Sequence, residues 1–231
     1  PGSNRVIRQG KDWAERRITA PCSFFAEDYA DTFLLRDVLV DVLTQKDSYY
    51  VINDAEPGKR WDVEISNDWS PEKIGTYGEF TLEFTSASAY CESVGTTLDP
   101  FTFESNLWQI GQGLTLEETQ YKHTTTIFRI YNAGLEIDPR ELPLIIQYKG
   151  ASNNLKIKNI TNAEEWAYTG TSNAGDTVTL NGLRSTKNNL SIVRNTNKQA
   201  ITLAPGWNDF SLSGTSGSFE IVFDFRFYYL M

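Results

Sequence analysis

Histidine and cysteine are nearly missing from this chain. His123 is the only histidine, and Cys22 and Cys91 are the only cysteines. A Ser-His-Asp hydrolase would have to use His123 as its base, yet no GxSxG-type elbow accompanies it. A zinc site needs three or four His, Cys or carboxylate ligands at suitable spacing, which one histidine and two distant cysteines do not supply. No GxGxxG opens a helix, no GxxxxGK[ST] loop is present, and neither helix nor lysine follows Gly111-Gln112-Gly113 in register. The EF-hand spacing is also missing. The reading is therefore no catalytic residue, no metal and no cofactor. Two cysteines are too few for a disulfide framework; they read as small buried hydrophobes, with a pairing between them left open.

Positive charge is short too. Lys and Arg number 21 against 30 Asp and Glu, a net charge of -9. Gripping nucleic acid needs clustered Lys and Arg, and anionic membrane surfaces need the same. No run approaches the roughly 20 apolar residues of a membrane span. The polar opening "PGSNRVIRQG" lacks the apolar stretch of a signal peptide. Methionine occurs once, at Met231, so Pro1 is not expected to be a translation start.

What is present is strand-forming sequence. A chain of 231 residues, 40% hydrophobic and 22% charged, fits one large β domain or two small ones. "RITAPCSFF" alternates and reads as a strand. The next stretch changes period: Leu34, Leu35, Val38, Leu39, Val42 and Leu43 recur at three-to-four spacing, predicting a helix over 31–45. Asp28 or Asp31 caps its start, and Lys46 sits near its far end. "SYYVIND", "RWDVEIS" and "GEFTLEFTSAS" predict three strands separated by turns. In the last, Phe80, Leu82 and Phe84 alternate with Thr81, Glu83 and Thr85, as in a half-buried antiparallel strand. Residues 94–123 read as an irregular connection. From 124 onward short strands alternate with Gly, Asn and Pro turns, the pattern of an all-β sandwich. The fold class is mainly β: an α+β strand-helix-strand domain over 1–122, then an antiparallel β-sandwich over 123–231.

Carboxylate pairs deserve a test, because β-sandwich glycosidases use two. Glu64, Glu83, Glu220 and Asp224 each fall on the polar phase of a strand, which predicts solvated faces. Glu117-Glu118 and Glu164-Glu165 suit solubility. Trp61, Trp69, Trp108, Trp166 and Trp207 could line a sugar platform, but filling cores and interfaces is the commoner use. Asn159 and Asn189 open glycosylation triplets that carry little weight here. The aromatic run at the end places Phe223, Phe225, Phe227 and Tyr229 on one phase, and Asp224, Arg226 and Tyr228 on the other. A last strand this apolar is either central in its sheet or covered by another chain.

Four stretches carry a family resemblance: "KDWAERRITAPCSFFAEDYADTFLLRDVLVDVL", "INDAEPGKRWDVEIS" with "GEFTLEFTSASAYCES", "FRIYNAGLEIDPRELPLIIQYKGASNNLKIKNITN", and "LAPGWNDFSLSG" with "FEIVFDFRFYYL". In this order they resemble the distal tail proteins (Dit) of siphophages. The resemblance implies a ring-forming first domain, with further strands ahead of its opening loop, and a galectin-like sandwich. It implies a structural, non-enzymatic homo-hexamer joining the tail tube to tail-tip or baseplate proteins. DNA would pass through its channel without specific binding, and no membrane partner is implied. The protein would sit at the phage tail tip after assembly in the host cytoplasm. The rival reading is a carbohydrate-binding sandwich that contacts cell-wall saccharides. The ring reading also places the Leu34–Leu43 stripe in the subunit core, so Leu39→Asp is expected to abolish folding.

Overall fold

The computed structural model describes residues 14–115, 117 and 119–230. The chain forms two compact units and crosses between them three times. One unit runs to Val51 and then takes Trp61–Cys91; the other takes Ile52–Arg60 and Glu92–Leu230. The compact division therefore does not fall at 122/123. The reason is that residues 92–121 are tied to the chain's end: Ser93 N donates to Phe227 O, Thr97 Oγ1 donates to Phe223 O at 2.8 Å, and the Trp108 ring meets Phe227 at 5.9 Å.

In the first unit, β1 (Arg16–Phe25) leads to α1 (Tyr29–Leu43), β2 (Tyr49–Val51), all but the first two residues of β3 (Lys59–Ile65), β4 (Glu72–Ile74), β5 (Tyr77–Ser86) and the start of β6 (Tyr90–Ser93). β5 is the spine. β1 pairs with it antiparallel from Arg16↔Ser86 to Phe25↔Tyr77, and β4 pairs with its beginning. The predicted alternation holds: Phe80, Leu82 and Phe84 are buried beside Phe24, Trp61, Val63 and Cys91, while Glu79, Thr81 and Glu83 face solvent. Cys91 is a buried thiol and Cys22 a half-exposed one, and burial pushes the Cys22 thiol up from its usual range.

The helix starts two residues earlier than its periodicity suggests. Asp28 is the N-cap, its carboxylate accepting from Asp31 N. The core placement of its stripe is corrected by the structure: Thr32 is the one buried residue of α1. Leu35, Leu39 and Leu43 are half-buried, but Leu34, Val38 and Val42 are 66%, 56% and 59% exposed. Apolar residues occupy so wide an arc of α1 that one sheet face cannot cover them all. Leu39→Asp is accordingly no longer expected to abolish folding.

The second unit holds β7 (Lys122–His123), β8 (Ile127–Asn132), β9 (Leu144–Asn159), β10 (Glu164–Ala167), β11 (Thr171–Ser172), β12 (Thr177–Asn181), β13 (Arg184–Lys187), β14 (Leu190–Ser191), β15 (Gly206–Phe225) and β16 (Tyr228–Leu230). One antiparallel sheet runs β14-β13-β12-β9-β15-β7, with β8 on β15 and β10 and β11 on β9. β9 and β15 are long, and their register slips between Ser213 and Thr215 and again between Ser216 and Phe219. Such bulges bend strands. Phe210 and Phe223 lie on opposite arms of β15, yet their rings meet edge to face at 4.9 Å. The sheet is thus folded on itself into two layers, with Ile130, Leu155, Ile157 and Trp166 from one arm and Ile146, Tyr148, Val178 and Ile221 from the other in the core.

The part of the closing aromatic run that lies in β15, Phe223 and Phe225, is central in this sheet. β15 is flanked by β9 on one edge and by β7 and β8 on the other. Phe223, Phe225 and Phe227 are buried as expected. Tyr228 is also buried, at 5% exposure, against its expected outward phase. The strand is interrupted between β15 and β16, where Arg226 donates to the carbonyls of Ser93 and Val94, so the alternation restarts.

The bend depends on Gly214, whose φ is +80° and whose added Cβ would lie 2.5 Å from Asn154 O and 2.6 Å from Asn153 O. Gly214→Ala is expected to cost about 2 kcal/mol or more, from the left-handed backbone and the collision with backbone carbonyls. Gly175→Ala, which meets nothing within 4 Å, should be close to neutral. Urea unfolding of both variants checks the contrast; equal midpoints would remove the bend from its controlling role.

Candidate interaction surfaces

The turns behind the resemblance have structural duties. In "YNAG", Asn132 Oδ1 accepts from Gly134 N, and Asn132 Nδ2 donates to Leu135 O at 2.6 Å. Leu135 N then donates to Tyr228 O. In "APGWN", Asn208 Oδ1 accepts from Ala204 N at 2.9 Å, and its Nδ2 donates to Ala204 O at 2.8 Å. Asn159 reaches both Thr202 O and Asn208 Oδ1 through its Nδ2. All three side chains are buried, and each satisfies backbone groups that a sharp turn leaves unpaired. Asn159 is thereby removed as a glycosylation acceptor.

The candidate carboxylates separate. Glu64 and Glu83 line one open groove of about 650 Å³ in the first unit, with Glu15, Arg17 and Asp62. Glu220 and Asp224 stand on β15 of the second unit. Glu117 pairs with Arg129 at 2.9 Å and Glu165 with Lys156 at 3.1 Å. Glu164 accepts from the backbone N and hydroxyl of Thr202. Among the described residues no group of His, Cys, Asp and Glu is arranged to hold a metal ion, and no helix is long and apolar enough to cross a membrane.

Among the described residues, the five candidate tryptophans do not assemble a platform. Trp61, Trp108 and Trp166 are buried. Trp69 packs on Phe80 at 4.8 Å. Trp207 is half-buried, with Tyr131 at 5.0 Å and the Arg129 guanidinium 4.0 Å from its ring centre, a cation–π contact.

His123 is half-buried. Its ring stacks on Phe128 at 4.4 Å and its Nε2 lies 2.9 Å from Gln120 O. Burial holds its pKa below the usual imidazole value, partly offset by that carbonyl. Tyr121, whose hydroxyl donates to Tyr131 O, is raised well above the phenol range by burial.

A feature that sequence reading assigned elsewhere is the outer face of α1. Leu34, Val38 and Val42, at i, i+4 and i+8, are exposed there, and Tyr29, Phe25 and Ile74 are 68%, 77% and 77% exposed elsewhere in the same unit. The width of the apolar arc was visible in the sequence; which part of it the fold would leave open was not.

Residues 1–86 match the family model described as phage tail protein RIFT-related domain. No curated protein matches the chain's sequence. Among solved structures, the crystal structure of SPP1 Dit, titled a paradigm of the hub adsorption apparatus in phages infecting Gram-positive hosts, superposes with a TM-score of 0.68 at 12% identity. The match covers 98% of this chain and 84% of that one. Residues 1–86 thus match a phage-tail domain, and the chain as a whole has a fold like that of SPP1 Dit; both agree with the resemblance read from the sequence.

One consequence concerns pH. A histidine whose folded pKa lies below its unfolded value binds its proton better in the unfolded chain, so stability is lost as pH falls below the ordinary value near 6.5. His123→Phe should therefore flatten the fall in stability between pH 7.5 and pH 5.5 relative to the parent chain. Denaturant midpoints at the two pH values measure it; parallel shifts in both proteins would dissociate His123 from the effect.

Proposed function

We propose that the chain is the hub at the distal end of a siphophage tail, a homo-hexameric ring joining the tail tube to tail-tip or baseplate proteins and leaving a channel for DNA. The single observation that carries the assembly part is the open apolar face of α1. Monomeric proteins rarely leave a contiguous apolar face to water, and those that do mark association sites. A ring requires a heterologous contact repeated around an axis, and a stable one buries roughly 1,200–2,000 Å² or more. In this reading the first unit supplies the ring contact and the second, a galectin-like sandwich, projects from it. The net charge of -9 suits a channel through which DNA slides without being held. The protein would be assembled in the host cytoplasm and reside in the virion.

No catalytic step is assigned. Glu64 and Glu83 line an open groove of the first unit, Glu220 and Asp224 stand on β15 of the second, and Trp61, Trp108 and Trp166 are buried in packing.

Changing Leu34, Val38 and Val42 together to Ser should leave the monomer folded, because exposed positions away from special features change stability by about 0.5 kcal/mol or less each. The same triple change should abolish rings. Light scattering after size exclusion and negative-stain images of the full gene product compare the two proteins. Six-fold rings from the parent and monomers from the variant support the reading; rings from both would detach α1 from the interface.

A further inference from the structure

The second unit has its own recognition feature, at one end of the sandwich. A cavity of about 230 Å³ opens there between the two layers. Its walls are Leu144, Trp166, Leu180, Ala200 and Ile201, each no more than 8% exposed. The Trp166 indole is held in place by donation from Nε1 to Ser185 Oγ at 3.1 Å. At the mouth, Leu183 is 62% exposed beside Gly182, whose φ of +59° makes the β12–β13 turn. An apolar cavity of about 150 Å³ already accommodates a benzene ring, so this space fits one large apolar side chain.

A second observation concerns charge. The protein is strongly acidic, yet no Asp or Glu occurs between Asp176 and Asp209, while Arg184, Lys187, Arg194 and Lys198 all do. Most of the residues around the cavity come from this stretch, Lys198 among them. Lys187 is paired with Asp176 at 3.8 Å. Arg184, Arg194 and Lys198 form no ion pair among the described residues. The segment that supplies most of the cavity's lining is thus the part of the chain freed of negative charge.

We propose that this cavity is a docking site for an aromatic side chain carried on an acidic segment of a partner protein. The aromatic group fills the space above Trp166 and against Leu144, Leu180 and Ile201. Carboxylates flanking it in the partner face Arg194 and Lys198. A preformed pocket that desolvates one large side chain, rimmed by charge, is the arrangement that concentrates binding energy at interfaces, and the charges steer the encounter. The inference does not rest on the ring reading, since the cavity belongs to the second unit alone.

The test uses the full chain and three peptides, Ac-DEWDE-NH₂, Ac-DEADE-NH₂ and Ac-KKWKK-NH₂, with binding followed by titration calorimetry and amide chemical shifts. The acidic Trp peptide should bind, shifting resonances of residues 180–185 and 198–201. The Ala and Lys peptides should bind at least tenfold more weakly. Arg194→Glu with Lys198→Glu, both at the surface, should weaken the acidic Trp peptide at least tenfold while leaving the spectrum of the rest of the chain unchanged. Equal binding of the Trp and Ala peptides, or shifts confined to other residues, would overturn the role of the cavity. Equal binding of the acidic and basic Trp peptides would overturn the acidic partner. Binding of free indole in the cavity with no binding of the acidic Trp peptide would make it a small-molecule site instead and sink the proposal.

Discussion

The antiparallel pair of β9 and β15 is the constraint on which the second unit depends. Each strand is long enough to serve two layers, and each is bent rather than cut. The bend is located by the register slips at Ser213–Phe219 and by Gly214 and Gly217, both at positive φ. It brings the Phe210 ring to Phe223 and the Phe128 ring to both at under 6 Å. Without it the two arms would present apolar faces to water. With it, one sheet becomes a sandwich whose remaining strands only have to add at the edges.

The first unit is built under a looser constraint. Its sheet is organised by β5, whose inward residues Phe80, Leu82 and Phe84 are satisfied within the unit. Its helix is not: half of a wide apolar arc is left to solvent. A fold that closes its own core while leaving a helix face open has the physical form of an assembly component. That form agrees with the tail-domain match over residues 1–86 and with the likeness to the SPP1 Dit fold. The first unit leaves an apolar helix face open, and the second holds a small pocket lined mostly by a segment without Asp or Glu.

The buried asparagines show how a resemblance carried by short turns can be real without marking a binding site. Asn132, Asn159 and Asn208 are nearly or fully buried and spend their amides on backbone groups. A buried amide left unpaired costs about 1–3 kcal/mol, so these positions are held by folding, and their side chains are not available to a ligand.

Much of this was legible beforehand. The period-2 pattern of "GEFTLEFTS" identified β5 and its buried face, because alternation in a strand maps directly onto the two sides of a sheet. The change to a three-to-four period located α1 to within two residues at each end. The turn spacing after residue 124 predicted the all-β unit. The polar phase of Glu64, Glu83 and Glu220 predicted their exposure. The sequence by itself determined local geometry, the absence of a metal-ligand motif, and the resemblance to distal tail proteins. Tertiary structure alone decided what covers what. It left Leu34, Val38 and Val42 outside, broke the alternation at Tyr228, tied residues 92–121 to the end of the chain, and assembled Leu144, Trp166, Leu180 and Ile201 around one cavity. The physical reason is that periodicity reports which residues share a face, whereas burial depends on whether another element reaches that face, and the elements that do so are far away in the chain.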